Sequence, residues 1–347
     1  MRFYTQQHRY YCGIDLHTKM MYVCIMNQAG EVVLHRNLKT DPAAFLKVIA
    51  PYREDIVVGV ECIFTWYWLA DLCAKEGISF VLGHALYMKA IHGGKVKNDR
   101  VDSEKITVLL RGGMLPQAYV YPTYMRATRD LLRRRMYLVH QRSELLAHVQ
   151  NTNSQYNLPE FAKKLDRKNN RTDVAERFLD PAVRKSIEMD LALLDEYGMR
   201  IRDVEHYLIR HAKLDDPRTW YRLQTIPGVG EVLALVMLYE IQDIHRFARV
   251  QDFCSYARLV KCAKESAGKK YGYSGKKIGN AHLKWAFSEA VCLFMRESDQ
   301  AKAYVEKMTK KHGKSKAMSL LAHKLGRAVY FMLKREDAFD MKYFFKK

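Results

Sequence analysis

Tyr10-Tyr11-Cys12-Gly13-Ile14-Asp15-Leu16-His17-Thr18 is the stretch from which the fold can be read. Cys12 and Ile14 stand at alternate positions, the period of a half-buried strand, and Asp15 follows them as a carboxylate at the strand's end. Met21, Val23 and Ile25 repeat the alternation. Gly30 marks a turn into Val32, Val33 and Leu34, so Asp15 is expected on the first strand of a meander. Asp41-Pro42 caps a helix to about Ala50, with proline in its first turn. Ile56-Val57-Val58-Gly59-Val60 is a continuous apolar run, as expected of a strand buried on both faces, and it ends at Glu61. A helix from about Thr65 to Lys75, closed by Gly77, leads to another apolar strand at Ile78 to Leu82. Meander strands followed by alternating helix and strand give an α/β class.

Downstream, Asn98 or Asp99 is a good N-cap for a helix to about Leu110. Asp99 and Asp102 are three apart and share one face of its first turn. Acidic residues there also complement the helix dipole, but two on one face within a basic segment call for a further reason. A long helical stripe begins near Tyr124 and carries Arg126, Arg129, Arg133, Arg134, Arg135 and Arg142. A polar, basic excursion is expected from Asn151 to Arg171, and helix resumes from Pro181 to Ala212. The pair reads as an antiparallel hairpin or coiled coil, or as part of an ordinary bundle. Pro227, Gly228 and Gly230 form a tight turn between two helices with open amides, the helix–hairpin–helix pattern that docks a phosphate. The glycine- and lysine-rich stretch from Lys261 to Asn280 reads as a flexible loop, with helices after it.

The 347 residues suffice for two or three domains, and 48% of them are hydrophobic. No run of about 18 apolar residues exists, so no membrane span is expected. Met1 to Tyr11 is polar and basic and does not read as a secretory signal. Seven scattered cysteines without a C-x-x-C pair argue for free thiols in a reducing cytoplasm and against zinc. A formal charge of +20 points to a phosphate backbone as partner. Arg133, Arg134, Arg135, Lys269, Lys270, Lys276, Lys277, Lys310 and Lys311 are the candidate contacts, together with the Gly228 and Gly230 amides.

In an open α/β sheet the carboxyl ends of the strands meet at one edge. Asp15, Glu61, Asp99 and Asp102 would then form a hard-oxygen cluster suited to Mg²⁺, and two such ions could serve phosphoryl transfer. Gly-Ile-Asp15, Val-Glu61, Lys-Asn-Asp99-Arg-Val-Asp102, the long helices, Ile226-Pro-Gly-Val-Gly230 and the serine-bearing loop before Lys276-Lys-Ile-Gly-Asn-Ala-His282 together resemble the DEDD insertion-sequence transposases. That is the family of bridge-RNA-guided recombinases that includes a pilin-gene invertase. The resemblance spans nearly the whole chain. It implies a ribonuclease-H-like (RuvC-like) domain at 1–118, a helical coiled-coil stalk at 119–215, and a mainly α C-terminal transposase domain at 216–347 with the helix–hairpin–helix and serine loop.

It also implies that the four carboxylates bind Mg²⁺ and that a serine matching Ser266 attacks DNA. Family members often carry Ser-Gly or Ser-Ser after that serine; Ala267-Gly268 stands here, which keeps Ser274 as a second candidate. Donor and target DNA, a guide RNA and further copies of the chain in a dimer or tetramer are the implied partners. Ser266 is expected beyond the stalk from Asp15, in a composite site completed by a second copy. The alternative is a metal-dependent RuvC-like junction endonuclease with no covalent serine intermediate. An actin-like phosphotransferase would share Gly-Ile-Asp15-Leu-His-Thr18 but would need a second phosphate loop, which the sequence lacks. A non-catalytic nucleic-acid-binding protein would be indifferent to the carboxylates.

Overall fold

The meander consists of β1 (Tyr10–Leu16), β2 (Met20–Asn27) and β3 (Val32–Lys39). Asp41 caps α1 (Pro42–Ile49) by accepting from Ala44 N, with Pro42 in the first turn. Then come β4 (Ile56–Glu61), α2 (Tyr67–Lys75), β5 (Ser79–Gly83), α3 (Ala85–Ile91) and α4 (Asp99–Arg111). The computed structural model describes residues 2–91, 98–274 and 278–346. Packing divides the chain into two units, Met1–Thr123 and Tyr124–Lys347.

In the first unit the sheet order is β3-β2-β1-β4-β5. β1 is antiparallel to β2 and parallel to β4, and β5 is parallel to β4. This mixed α/β sheet is consistent with a ribonuclease-H-like domain. Alternate residues serve opposite faces, as a strand's two-residue period requires. Cys12, Ile14, Leu16, Val58 and Val60 share a core with Phe45 and Ile49 of α1 and Leu69 and Cys73 of α2. Tyr11 and Val57 belong to the opposite core, with Met88 of α3 and Ile106, Leu109 and Leu110 of α4.

The second unit contains α5 (Thr123–Gln155), α6 (Pro181–Asp215), α7 (Pro217–Gln224), α8 (Glu231–Ile241) and α9 (Val250–Tyr256). After them come β6 (Cys262–Ser266), β7 (Lys269–Ser274), α10 (Ala281–Glu297), α11 (Asp299–His312), α12 (Lys314–Arg335) and α13 (Met341–Phe345). Residues 233–241 of α8 are all buried, as befits a helix that is apolar on every side. α9, α10 and α12 supply Phe253, Phe287, Val291 and Leu325 to the core around it, and the start of α5 adds Met125, Leu132 and Met136. The expected polar excursion begins later than Asn151, because α5 runs on to Gln155. Leu165, Val174 and Phe178 of that excursion form a small core with Val149 and Ile187.

The largest correction concerns Lys261 to Asn280, expected as a loop. β6 and β7 pair as an antiparallel hairpin, with Ser266 opposite Lys269. Ala267 and Gly268 turn it with φ of 49° and 73°. Two consecutive left-handed residues match the twist of the flanking strands, which is why so short a turn closes. The cysteines at 12, 24, 73, 254 and 292 are free thiols. Among the described residues no helix is long and apolar enough to cross a membrane.

Candidate active site

Gly13 governs the approach of α4 to the sheet. A Cβ built there would lie 2.3 Å from Thr107 Oγ1, 2.4 Å from Thr107 N and 2.5 Å from Ser103 O. Gly59, its partner on β4, faces Leu110, Leu115 and Ile106. Ser103 and Thr107 are fully buried in this contact. The Thr107 hydroxyl donates to Ser103 O at 2.8 Å, and Ser103 Oγ donates to Arg100 O at 2.8 Å. Asp15 and Glu61 continue the face of Gly13 and Gly59. Ile14 pairs with Val60, so the two carboxylates follow at matched positions on adjacent parallel strands.

α4 brings the second pair. Asn98 is its N-cap, its side-chain oxygen accepting from Val101 N at 2.8 Å, so Asp99 and Asp102 fall in the first turn. His17, just beyond β1, places Nε2 3.3 Å from Asp15 Oδ2 and 3.6 Å from Asp99 Oδ1. Asp15, His17 and Asp99 offer donor atoms within 4.8 Å of one another. Asp102 accepts from Lys105 Nζ at 3.1 Å. Burial pushes the Asp15 carboxyl above the usual range; His17 pulls it back, and the charges of Asp99 and Asp102 raise it further. A half-buried carboxyl raised by burial and by neighbouring acids has the electrostatics of a cation site.

In the second unit, Ser266 is the exposed last residue of β6, beside the turn. Lys269 and Lys270 are exposed at the start of β7, and Ser274 ends it opposite Cys262. Lys276 and Lys277 lie outside the described residues. Lys310 and Lys311 are exposed in the last turn of α11, where cations also suit the helix dipole. The members of the arginine triplet differ in their surroundings. Arg133 is held by Glu240, Nε to Oε1 at 2.7 Å and Nη2 to Oε2 at 3.0 Å. Arg135 is held by Glu205, with Nε at 2.8 Å from Oε1. Both are thus engaged by carboxylates within the fold, Arg133 sharing Glu240 with Arg129, and Arg134 alone of the three is exposed, lying over the Tyr137 ring. Gly228 has φ +80, and a Cβ there would meet the backbone of Leu293 and Phe294 at 2.6–2.7 Å, so close packing on α10 accounts for this glycine. Gly230 is different: nothing lies within 4 Å of its Cβ position, and it precedes α8 without a side-chain cap.

Residues 12–157 match a DEDD family of IS110 type described as "Transposase", and residues 221–306 match the "Transposase IS116/IS110/IS902 family". The chain belongs to the IS110 family of DEDD transposases. It is 22% identical over 334 residues to the "Transposase for insertion sequence element IS1111A" of Coxiella burnetii (strain RSA 493 / Nine Mile phase I), covering 94% of this chain and 90% of that protein. The transposase is thus an enzyme that acts on DNA by phosphoryl transfer. DEDD transposases depend on a divalent metal, and the donor set fits one: carboxylate oxygens from the end of β1 and the start of α4, with the His17 imidazole between them. Sequence reading missed His17 as a member of this group. Its signal was its place two residues beyond Asp15, where a strand's period returns to the same face.

Proposed function

We propose that the transposase cuts and rejoins DNA with Asp15, Glu61, Asp99 and Asp102 as Mg²⁺ ligands and Ser266 as the attacking hydroxyl. The observation that supports this reading is the approach of Asp15, at the end of β1, to His17 and to Asp99 in the first turn of α4. When bound, Mg²⁺ would supply Lewis-acid stabilisation of charge on a phosphodiester. Asp15, more enclosed than Asp99 or Asp102, fixes the position; Asp99, the most exposed of these three, leaves the site open to a strand. Lys105 holds the Asp102 carboxylate, and His17 spans Asp15 and Asp99.

Ser266 would attack phosphorus from the end of the β6–β7 hairpin, losing its proton while the displaced strand leaves as an alcohol. Lys269 and Lys270, on the strand that returns from the turn, are placed to hold that phosphate. In this reading α7, the turn at Gly228–Gly230 and α8 act as a helix–hairpin–helix, and the long parts of α5 and α6 as a stalk between catalytic and serine domains. A guide RNA selects the DNA, and a dimer or tetramer completes the site, with Ser266 of one copy serving the carboxylates of another. The IS1111A relative, named a transposase for an insertion sequence, supports DNA of such an element as substrate.

The test is to combine Ser266→Ala and Asp15→Asn proteins, each inactive alone, on element-end DNA with co-purified RNA. Partial recovery of strand exchange, with a phosphoserine adduct only on the chain that keeps Ser266, is expected. Full activity of Ser266→Ala, or an adduct at Ser274, would remove Ser266 from this role. Cleavage without any adduct would assign the junction-nuclease alternative.

A further inference from the structure

We infer that Phe64 is a stacking platform for one base of the DNA strand held at the carboxylate edge. Phe64 lies three residues after Glu61, in the turn between β4 and α2, and it is 81% exposed. Exposure alone says little, since Leu179 is 93% exposed at the end of the excursion before α6. What separates Phe64 is its mount. Cys62 N donates to Gly83 O at 2.8 Å, tying the turn to β5. The Thr65 hydroxyl donates to Leu16 O at 3.0 Å, tying it to the end of β1 directly after Asp15. Ile63 N donates to Glu61 O at 2.9 Å, closing the turn on itself. Trp66, the residue after Thr65, is buried in the sheet's core beside Leu69. An apolar ring is thus held out into solvent by a turn fixed on three sides, beside two of the four carboxylates.

An enzyme acting on DNA brings to this edge a phosphodiester, and with it the bases on either side. A strand bound there through a metal presents the bases beside its phosphate, and a base that parts from its stack at this edge has a face that needs cover. A planar side chain covers any of the four bases alike, so such a contact steadies the strand without reading its sequence. Pre-positioned aromatic surface also loses little conformational freedom on binding, since the turn is already ordered. The occupant is a base of DNA rather than of RNA because the group it adjoins acts on the DNA strand. The inference rests on the carboxylate reading above.

The experiment places 5-iododeoxyuridine at one position at a time around the cleavage point of element-end DNA. Each DNA is irradiated with the full-length protein and its co-purified RNA, and the cross-linked peptide is mapped. The expected result is a cross-link to Phe64 from one or two adjacent positions. It persists in Phe64→Tyr and Phe64→Trp and is lost in Phe64→Ala and Phe64→Leu. Cleavage should fall about tenfold in the last two, from the usual worth of one stacked base, and return with Tyr. Melting temperatures should match the wild type, the ring being outside the core. Full cleavage by Phe64→Ala would overturn the proposal, as would a Phe64→Leu protein equal to wild type, which would reduce the contact to apolar surface. A cross-link formed only by 5-iodouridine in the RNA would also overturn it. Asp15→Asn should abolish cleavage and keep the cross-link. Normal cleavage by Asp15→Asn would instead remove the carboxylate reading, and with it the placement of this base beside the scissile phosphate.

Discussion

Gly13 and Asp15 stand two residues apart on one face of β1, and they fail in different ways when changed. Asp15→Asn keeps the shape of the side chain and removes the charge. It should abolish strand cleavage while leaving nucleic-acid binding and the melting temperature nearly unchanged; full cleavage by this variant would remove Asp15 from the site. Gly13→Ala adds one methyl where Thr107 and Ser103 already stand within 2.5 Å, so α4 must shift and carry Asp99 and Asp102 with it. Overpacking of this kind costs about 1–3 kcal/mol. A lowered denaturation midpoint together with lost cleavage is the expected result, and a fully active, equally stable Gly13→Ala protein would contradict the close approach. Of these two residues, only Asp15 was legible in the sequence. A carboxylate at a strand end declares itself by pattern, whereas a glycine that admits a helix is indistinguishable from one that eases a strand. His17 was hidden for a related reason: nothing in the local pattern says that α4 returns across the sheet to set Asp99 beside it.

Strands with a clear period, such as β1, β2 and β4, were readable because one face or both are buried, and so was α4 from its Asn98 cap. The β6–β7 hairpin was not. Its strands are lysine- and glycine-rich and exposed, and Ala267-Gly268 lacks the asparagine that usually marks a two-residue turn. The arginines of α5 misled for the opposite reason, because charge on a helix normally faces water. Two of them, Arg129 and Arg133, meet Glu240, 2% exposed on α8, which takes Arg129 Nε at 3.0 Å, Arg133 Nε at 2.7 Å and Asn280 Nδ2 at 2.7 Å. Asn280 also caps α10 through Oδ1, so this network ties α5, α8 and α10 together. Burial pushes the Glu240 carboxyl up, but Arg133, Arg129 and Asn280 outweigh it and hold it at about 2. A depressed folded value means stability present in full above the unfolded value near 4.5 and lost as the pH falls toward 2. The difference is worth about 3 kcal/mol. Glu240→Gln should flatten the pH dependence of unfolding in that window. At neutral pH it should cost about 3–5 kcal/mol by leaving the buried Arg129 and the half-buried Arg133 without their shared counter-charge. Identical acid unfolding of the two proteins would show that Glu240 is not the group responsible.

The whole chain carries +20, but not every positive charge is available to a partner. Arg134, Lys269, Lys270, Lys310 and Lys311 face solvent, while Arg133 and Arg135 are paired with carboxylates of the fold. Replacing one of the first group by alanine should lower the salt slope of DNA binding by about one for each phosphate it had neutralised. Replacing Arg133 or Arg135 should lower the melting temperature and leave that slope alone; the reverse pattern would contradict this division of charge. The Glu240 network also decides where the gene can be shortened. A fragment starting at residue 216 keeps Glu240 and Asn280 but discards Arg129 and Arg133, stranding an anion inside an otherwise oily helix. One starting at residue 124 retains every member. Expressed separately, the shorter piece should collect in inclusion bodies or bind hydrophobic dyes, and the longer one should purify from the lysate and melt in a single transition, so α5 is inseparable from the part of the chain that carries Glu240 and Ser266.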